Sequence, residues 1–395
     1  MAELFRKLVA FSPVVGVFGH RQVGKTTYCG SLSGTYYTLD DRETRLNISR
    51  DPKAFVTSAA KLPLVLDECQ IEPELFPAIK ERVRTHKRPG QFVLTGSVRF
   101  TSRKAIRESL AGRMVALEMF PLILSELMNE PLPDVLPQLL GATIFSQSHL
   151  ELLKKGNALT QTQKVLEKYL LNGGLPGLCF LRQERLREEG LFALHDLILD
   201  RDLRLVVETR LSFETLRSWL RLIAANTWEP YNAAAIKRAI GLSHQTQKSL
   251  LYALESIFLI RRLPIMGRAG EIILLEDQYE ELLLSKGKLG RSSQILSAVF
   301  RNIRAQFLYR LGEKARFESY WTRSGARIPL VVRTDAGVLG ISVIVGEKPT
   351  LSQRRAAESF LRHETQGKVM FVADQPLASE IIDPRILICP VASIL

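Results

Sequence analysis

Gly19-His20-Arg21-Gln22-Val23-Gly24-Lys25-Thr26-Thr27 follows directly on the apolar run Val14-Val15-Gly16-Val17-Phe18. A G-x-x-x-x-G-K-T loop thus stands where a buried strand ends. Glycines at 19 and 24 let the backbone fold back with its N–H groups pointing inward, and the helix expected to follow adds its N-terminus to the same anion site. Lys25 can reach the β- and γ-phosphates of a nucleotide, and the Thr26 hydroxyl can ligate Mg²⁺. The loop from Gly19 to Thr27 therefore predicts binding of ATP or GTP.

A second motif lies downstream. Lys61-Leu62-Pro63-Leu64-Val65-Leu66-Asp67-Glu68 is a short apolar run closed by two carboxylates, the pattern of a buried parallel strand that delivers acids to the carboxyl edge of a sheet. Asp67 is placed to hold Mg²⁺ opposite Thr26. Glu68, the next residue, is placed to orient or deprotonate the water that attacks the γ-phosphate, a task a hydrolase needs and a nucleotide switch does not. A third strand, Gln91-Phe92-Val93-Leu94-Thr95-Gly96-Ser97, ends in small hydroxyl residues. Thr95 or Ser97 would report on the γ-phosphate and help hold the water; an ordinary strand-to-loop turn accounts for them equally well.

The 395 residues suffice for two or three domains, and 46% hydrophobic residues suffice for sizeable cores. No run of 18 apolar residues exists, and Met1-Ala2-Glu3-Leu4-Phe5-Arg6-Lys7 enters the first strand too soon for a signal peptide. A cytoplasmic protein without a membrane partner is expected. Cys29, Cys69, Cys179 and Cys389 lie far apart with no C-x-x-C pair, which suits reduced, buried thiols rather than zinc.

Lys and Arg number 54 against 41 acidic residues, for a net charge of +13. Residues 233–262 hold Lys237, Arg238, Lys248, Arg261 and Arg262 against Glu255 alone, and a second basic stretch runs from Arg301 to Arg333. Double-stranded DNA, a protein partner, or simply a solvated basic face would each account for these stretches.

Residues 1–128 alternate strands and helices, the pattern of a parallel sheet covered on both faces. Beyond Pro131-Leu132-Pro133 the chain becomes mostly helical. Within it, Asn232–Ile240, Gly241 and the segment from Ser243 onward read as helix, turn, helix, and Leu259–Pro264 with Glu271–Leu275 read as two strands of a wing. A winged helix-turn-helix is expected, with Gln245, Gln247 and Lys248 facing bases and phosphates and Arg261 and Arg262 nearby, unless the unit only packs against protein. Residues 291–395 again mix helix and strand, with strands expected at 331–332, 338–345 and 368–373 and a helix over Leu351–His363.

The series GHRQVGKTT, YYTLDD, LVLDECQ, RPGQFVLTGSVRF, ESLAGRM and FPLILSEL resembles the bacterial and archaeal family of AAA-type ATPases that carry a C-terminal nuclease-like domain of unknown function. Tyr169-Leu170, Gly173-Gly174-Leu175-Pro176-Gly177 and Leu199-Asp200-Arg201-Asp202 match later landmarks, and the likeness fades after about residue 276. The resemblance implies an α/β P-loop fold in three domains: an AAA-type ATPase domain over 1–128, a helical lid and winged-helix domain over 129–285, and a small restriction-endonuclease-like α/β domain over 286–395. It implies ATP rather than GTP, together with Mg²⁺. It also makes Arg113 a charge-neutralising arginine, acting on its own nucleotide or, in a homo-oligomer, on a neighbour's; Arg99 and Arg107 compete for that role.

In the family's nuclease motif an Asp would stand at Pro329 and a Glu-x-Lys at Ser342-Val343-Ile344. With no carboxylate for Mg²⁺ and no lysine to place water, phosphodiester cleavage is not expected, unless Asp335, Glu347 and Lys348 are recruited instead. The chain is thus expected to be a Mg²⁺-dependent ATPase coupled to DNA or partner rearrangement without nuclease activity. The alternative is an ATP-switched protein-binding module with little turnover.

Overall fold

A computed structural model describes residues 1–99, 110–154, 157–311 and 314–395. Arg107 lies outside the described residues. The chain forms two compact units, each assembled from several segments: residues 1–121, 183–213 and 245–259 in the first, and 122–182, 214–244 and 260–395 in the second. The segment expected as a helical lid and winged helix, 129–285, is therefore shared between the two units.

The first unit is built on five strands, β1 (Val14–Phe18), β2 (Thr35–Thr38), β3 (Leu64–Asp67), β4 (Phe92–Gly96) and β5 (Met114–Glu118), in the order β2-β3-β4-β1-β5. All neighbours are parallel. β1, β3 and β4 are buried throughout, whereas the edge strands β2 and β5 are partly exposed. That is why the three central strands read as unbroken apolar runs. Val14, Leu64, Leu66, Phe92 and Leu94 share a core with Ile48, Phe76 and Ile79. Phe258, beyond the helix His244–Ser256, joins this core. There the Arg99 N–H donates to the Ser256 carbonyl at 2.8 Å and the Arg99 guanidinium lies 5.0 Å over the Phe258 ring.

The second unit carries an eight-stranded mixed sheet, β6 (Ile260–Met266), β7 (Glu271–Leu275), β8 (Arg316–Trp321), β9 (Arg327–Thr334), β10 (Gly337–Ile344), β11 (Gly367–Ala373), β12 (Glu380–Asp383) and β13 (Ile386–Pro390). Its order is β12-β13-β11-β10-β9-β8-β6-β7. The helix Leu351–His363 connects the parallel pair β10 and β11 and buries Ala356, Ala357, Phe360 and Leu361 in one core cluster. The helix Arg291–Leu311 supplies Ile295, Val299, Ile303 and Phe307 to another, which also takes in Leu330, Val332, Leu339 and Ile341. The strands expected as a wing do form the antiparallel pair β6–β7, but β6 continues into β8, Ile265 pairing with Ser319. They are the edge of this larger sheet. Among the described residues no helix is long and apolar enough to cross a membrane.

Candidate nucleotide site

β1 ends at Phe18 and the helix Lys25–Gly30 begins six residues beyond Gly19, so Gly19 to Gly24 form a loop at the carboxyl edge of the sheet. Two residues of the loop take left-handed backbone, Gln22 at φ 61° and Gly24 at φ 97°. Gly19 is required for a different reason: a Cβ there would lie 2.1 Å from the Met119 carbonyl oxygen. Within the loop Val23 is buried, and the His20 ring nitrogen Nδ1 lies 2.7 Å from the Arg21 carbonyl. Thr27, in the first turn of the helix, is exposed.

Lys25 is buried and its Nζ donates to the carbonyls of Gly19 at 2.9 Å and His20 at 2.8 Å. Burial pushes the ammonium down to about 8, against the pull of Glu68 and Asp67. No carboxylate bonds it among the described residues, so an anionic phosphate would supply the compensating charge that the loop lacks.

The Asp67 carboxylate gathers three hydroxyls. Thr26 donates to Oδ2 at 2.8 Å, Tyr36 donates to the same oxygen at 2.7 Å, and Thr95 donates to Oδ1. Tyr36 comes from edge strand β2 and Thr95 from β4, which places Asp67 on the line where three parallel strands end. The pairing of the Thr26 hydroxyl with a carboxylate is an oxygen donor set suited to a hard divalent cation such as Mg²⁺.

Glu68 is separated from Asp67 by its backbone. At φ 55° and ψ 41° it leaves the strand in left-handed conformation, and its carboxylate then accepts from Gln70 Nε2 and, at 3.4 Å, from Ser97 Oγ. Its N–H donates to Thr95 Oγ1 at 3.2 Å. Thr95 thus serves Asp67, while Ser97 and Gln70 serve Glu68. Gln70, Tyr36 and Asp202 are the site residues that sequence reasoning missed. Gln70 and Tyr36 sit inside quoted motifs without a role, and Asp202 lies far along the chain, where it binds Arg21 through Nε at 2.6 Å and Nη2 at 3.1 Å.

Other candidates fall elsewhere. Arg113 precedes Met114, which pairs with Val14 at the start of β1, so it lies at the sheet edge opposite the loop. Five residues of strand separate the two, roughly 16 Å, beyond the reach of an arginine side chain; the expectation that Arg113 serves its own nucleotide is corrected accordingly. Gln245 and Lys248 are exposed, but Gln247 is buried. Arg261 is buried against Glu276 at 2.5 Å, and Arg262 is held by Glu271 at 2.7 and 3.0 Å. These three are occupied in packing or ion pairs and do not form an open cationic face.

The second basic stretch is likewise largely neutralised. Arg301 pairs with Glu281 and Arg304 with Glu276, Arg310 with Asp134, Arg327 with Glu229, and Arg333 with Glu364. At the positions compared with a nuclease motif on sequence resemblance, Pro329 lies on β9 and Ser342 and Ile344 on the adjoining β10, and neither strand contains a carboxylate. Asp335 is exposed beside Lys314, and Glu347 and Lys348 are exposed beyond β10.

Residues 12–128 match the family described as AAA domain, and residues 163–271 match a domain of unknown function (DUF8612). Among curated proteins, Uncharacterized protein Rv2008c of Mycobacterium tuberculosis and Uncharacterized protein Mb2031c of Mycobacterium bovis are each 32% identical over 122 residues, 30% of this chain. The match spans 27% of the length of those relatives. Among solved structures, the Walker-type ATPase PABY2304 of Pyrococcus abyssi is similar over 72% of this chain and 94% of its own, at 15% identity and a TM-score of 0.40. A structure titled DNA replication initiation factor covers 65% and 91%, at 12% identity and a TM-score of 0.25. With the parallel five-stranded sheet and the loop after β1 in place, residues 12–128 form a P-loop α/β domain that matches the AAA domain family.

Proposed function

We propose that this chain binds ATP with Mg²⁺ and hydrolyses it, coupling turnover to rearrangement of a partner without cutting nucleic acid itself. The observation that carries the reading is the division of labour between two adjacent buried acids. Asp67 is tied to Thr26, as a cation-holding carboxylate should be, while Glu68 is turned away by its left-handed backbone and steadied by Gln70 and Ser97.

Lys25 and the loop N–H groups would hold the phosphates, and Thr26 with Asp67 would hold the metal ion. Mg²⁺, when bound, neutralises charge that develops on the phosphate oxygens. Glu68 orients a water and accepts its proton as the water oxygen bonds to the terminal phosphorus and the bond to the bridging oxygen of ADP breaks. Thr95 fixes the spacing of the two acids, because its hydroxyl bridges the Asp67 carboxylate and the Glu68 N–H.

The partner is the coarser part of the reading. The ion pairs that absorb Arg261, Arg262, Arg301 and Arg304 favour a protein partner over nucleic acid, with Lys248 among the residues open to phosphate contact. The absence of carboxylates from β9 and β10 supports the lack of nuclease activity. The test is nucleotide turnover. Lys25→Ala should abolish binding, and Glu68→Gln should keep ATP bound while hydrolysis drops by roughly a hundredfold or more. Normal hydrolysis by Glu68→Gln would refute the role given to that carboxylate.

A further inference from the structure

Arg21 occupies the third position of the phosphate loop, between Gly19 and Gly24, and its guanidinium is seized from outside the loop. Asp202 accepts from Nε at 2.6 Å and from Nη2 at 3.1 Å, leaving Nη1 without a partner among the described residues. The Asp202 side chain is almost fully buried, at 1% exposure, and that of Arg21 is at 14%. Both residues belong to the first compact unit.

The clamp is built from an irregular turn. The helix Glu184–Leu197 runs into one turn of π-helix, Ile198–Asp202, where the Leu203 N–H donates to the Ile198 carbonyl, before Leu203–Val206 resumes the regular helix. Such widened turns re-aim side chains and recur at functional sites. Here the turn presents two successive residues to the nucleotide end of the sheet: Asp202 to Arg21, and Arg201 to Asp40 just after β2, at 2.7 Å.

Arg21 stands in the loop beside the anchor of Lys25, whose Nζ donates to the carbonyl of His20, the residue immediately before Arg21. Burial works against its charge, but the Asp202 carboxylate together with Glu68 and Asp40 outweighs this and raises the guanidinium pKa above its ordinary value. In turn Arg21 disfavours the charged form of Lys25. Arg21 thus shares the loop with the lysine that would hold the phosphates, and the acid that would activate the water adds to the attraction on its charge. A terminal phosphate lodged between those two groups would lie within the same field.

We propose that Arg21, aimed by Asp202, is the arginine this chain brings to the terminal phosphate of its own nucleotide, with the free Nη1 edge as the contacting edge. Arg113 stands at the opposite sheet edge and leaves this task to another residue. Asp202 is a positioning residue: its bidentate grip fixes the plane of the guanidinium, as a lysine in place of Arg21 would not allow. The inference rests on the ATPase reading above and deepens it.

The test uses the full chain and separates the two. ATP and ADP affinities are measured in the Glu68→Gln background, and single-turnover hydrolysis is measured with Glu68 intact. Arg21→Ala should leave ADP affinity within about twofold, weaken ATP by about tenfold and slow hydrolysis on the order of a thousandfold. Arg21→Lys should not restore the rate. Asp202→Asn should lower the rate by about tenfold at unchanged ADP affinity, and should add nothing to Arg21→Ala in the double variant. Should Arg21→Ala unfold in a thermal melt, Arg21→Gln is read by the same two measurements. If Arg21→Ala keeps the wild-type ATP-over-ADP preference and rate while Glu68→Gln is inactive, the inference fails and the ATPase reading stands. If the wild-type chain binds neither nucleotide, both fall.

Discussion

Each compact unit buries a knot of ionised side chains, and the two knots satisfy their charges in opposite ways. In the second unit Glu276 is gripped by Arg261 and Arg304, and Arg301 is shared among Glu281, the Gln278 side chain and the carbonyls of Leu275 and Glu276. Burial alone would push the Glu276 carboxyl up, but Arg261 and Arg304 overcome it and hold it down at about 2. In the first unit Lys25 has carbonyls instead of carboxylates, Asp67 has hydroxyls instead of cations, and Glu68 has an amide and a hydroxyl. One knot is closed on itself. The other, apart from its Arg21–Asp202 pair, leaves Lys25, Asp67 and Glu68 without a bonded counter-charge, among the described residues, of just the kind that a metal-bound polyphosphate would bring, which is how a binding site differs from a structural network with similar residues.

The comparison can be broken first at its most demanding point. Glu276→Gln leaves Arg261 and Arg304 buried against a neutral amide and should lower unfolding free energy by about 3 to 5 kcal/mol in denaturant melts. Glu68→Gln should shift stability by less than about 1 kcal/mol, because among the described residues no cation bonds that carboxylate. Equal losses in the two variants would abolish the distinction drawn here.

A smaller effect is expected at Gly19. Gly19→Ala drives a methyl group against the Met119 carbonyl, so the loop must shift; nucleotide affinity measured by titration calorimetry should fall by about tenfold or more. Unchanged affinity would show that the loop does not bind in the conformation described. The mildest test is pH. Since the free Lys25 ammonium titrates at about 8 and bound phosphate would hold its proton, affinity should decline as pH rises through that value, by up to about tenfold per unit. The same shift sets the sign for folding: the unfolded lysine keeps its proton to higher pH, so this residue makes the fold more stable, not less, as pH climbs from about 8 toward 10.5. A flat affinity profile would mean that Lys25 stays charged without the ligand.

Much of the first unit was legible in the sequence because its signals are local. Strands buried on both faces must be continuous apolar runs, as Leu64–Asp67 and Phe92–Gly96 are, and the loop spacing from Gly19 to Lys25 is fixed by its own backbone. The rest depends on which distant segments meet. Counting charges made 301–333 look like a cationic surface, whereas Arg301 and Arg304 turn inward to acids at 281 and 276. The wing strands were read correctly as strands, yet nothing local announces that β6 extends an eight-stranded sheet or that Phe258 belongs to the core of the other unit. Within the site, Tyr36 and Gln70 earn their places only once β2 lies beside β3 and the turn after Asp67 folds back.

The backbone at position 68 has a consequence for how this protein can change over time. A glutamate held at φ 55° sits in a region that glycine enters without penalty and other residues enter at a cost of about 1 kcal/mol or more. If Glu68 activates water as proposed, heat resistance and turnover select for different amino acids at one codon. A lineage released from the need to hydrolyse nucleotide would be expected to lose this acid early, and to melt at a higher temperature for having done so.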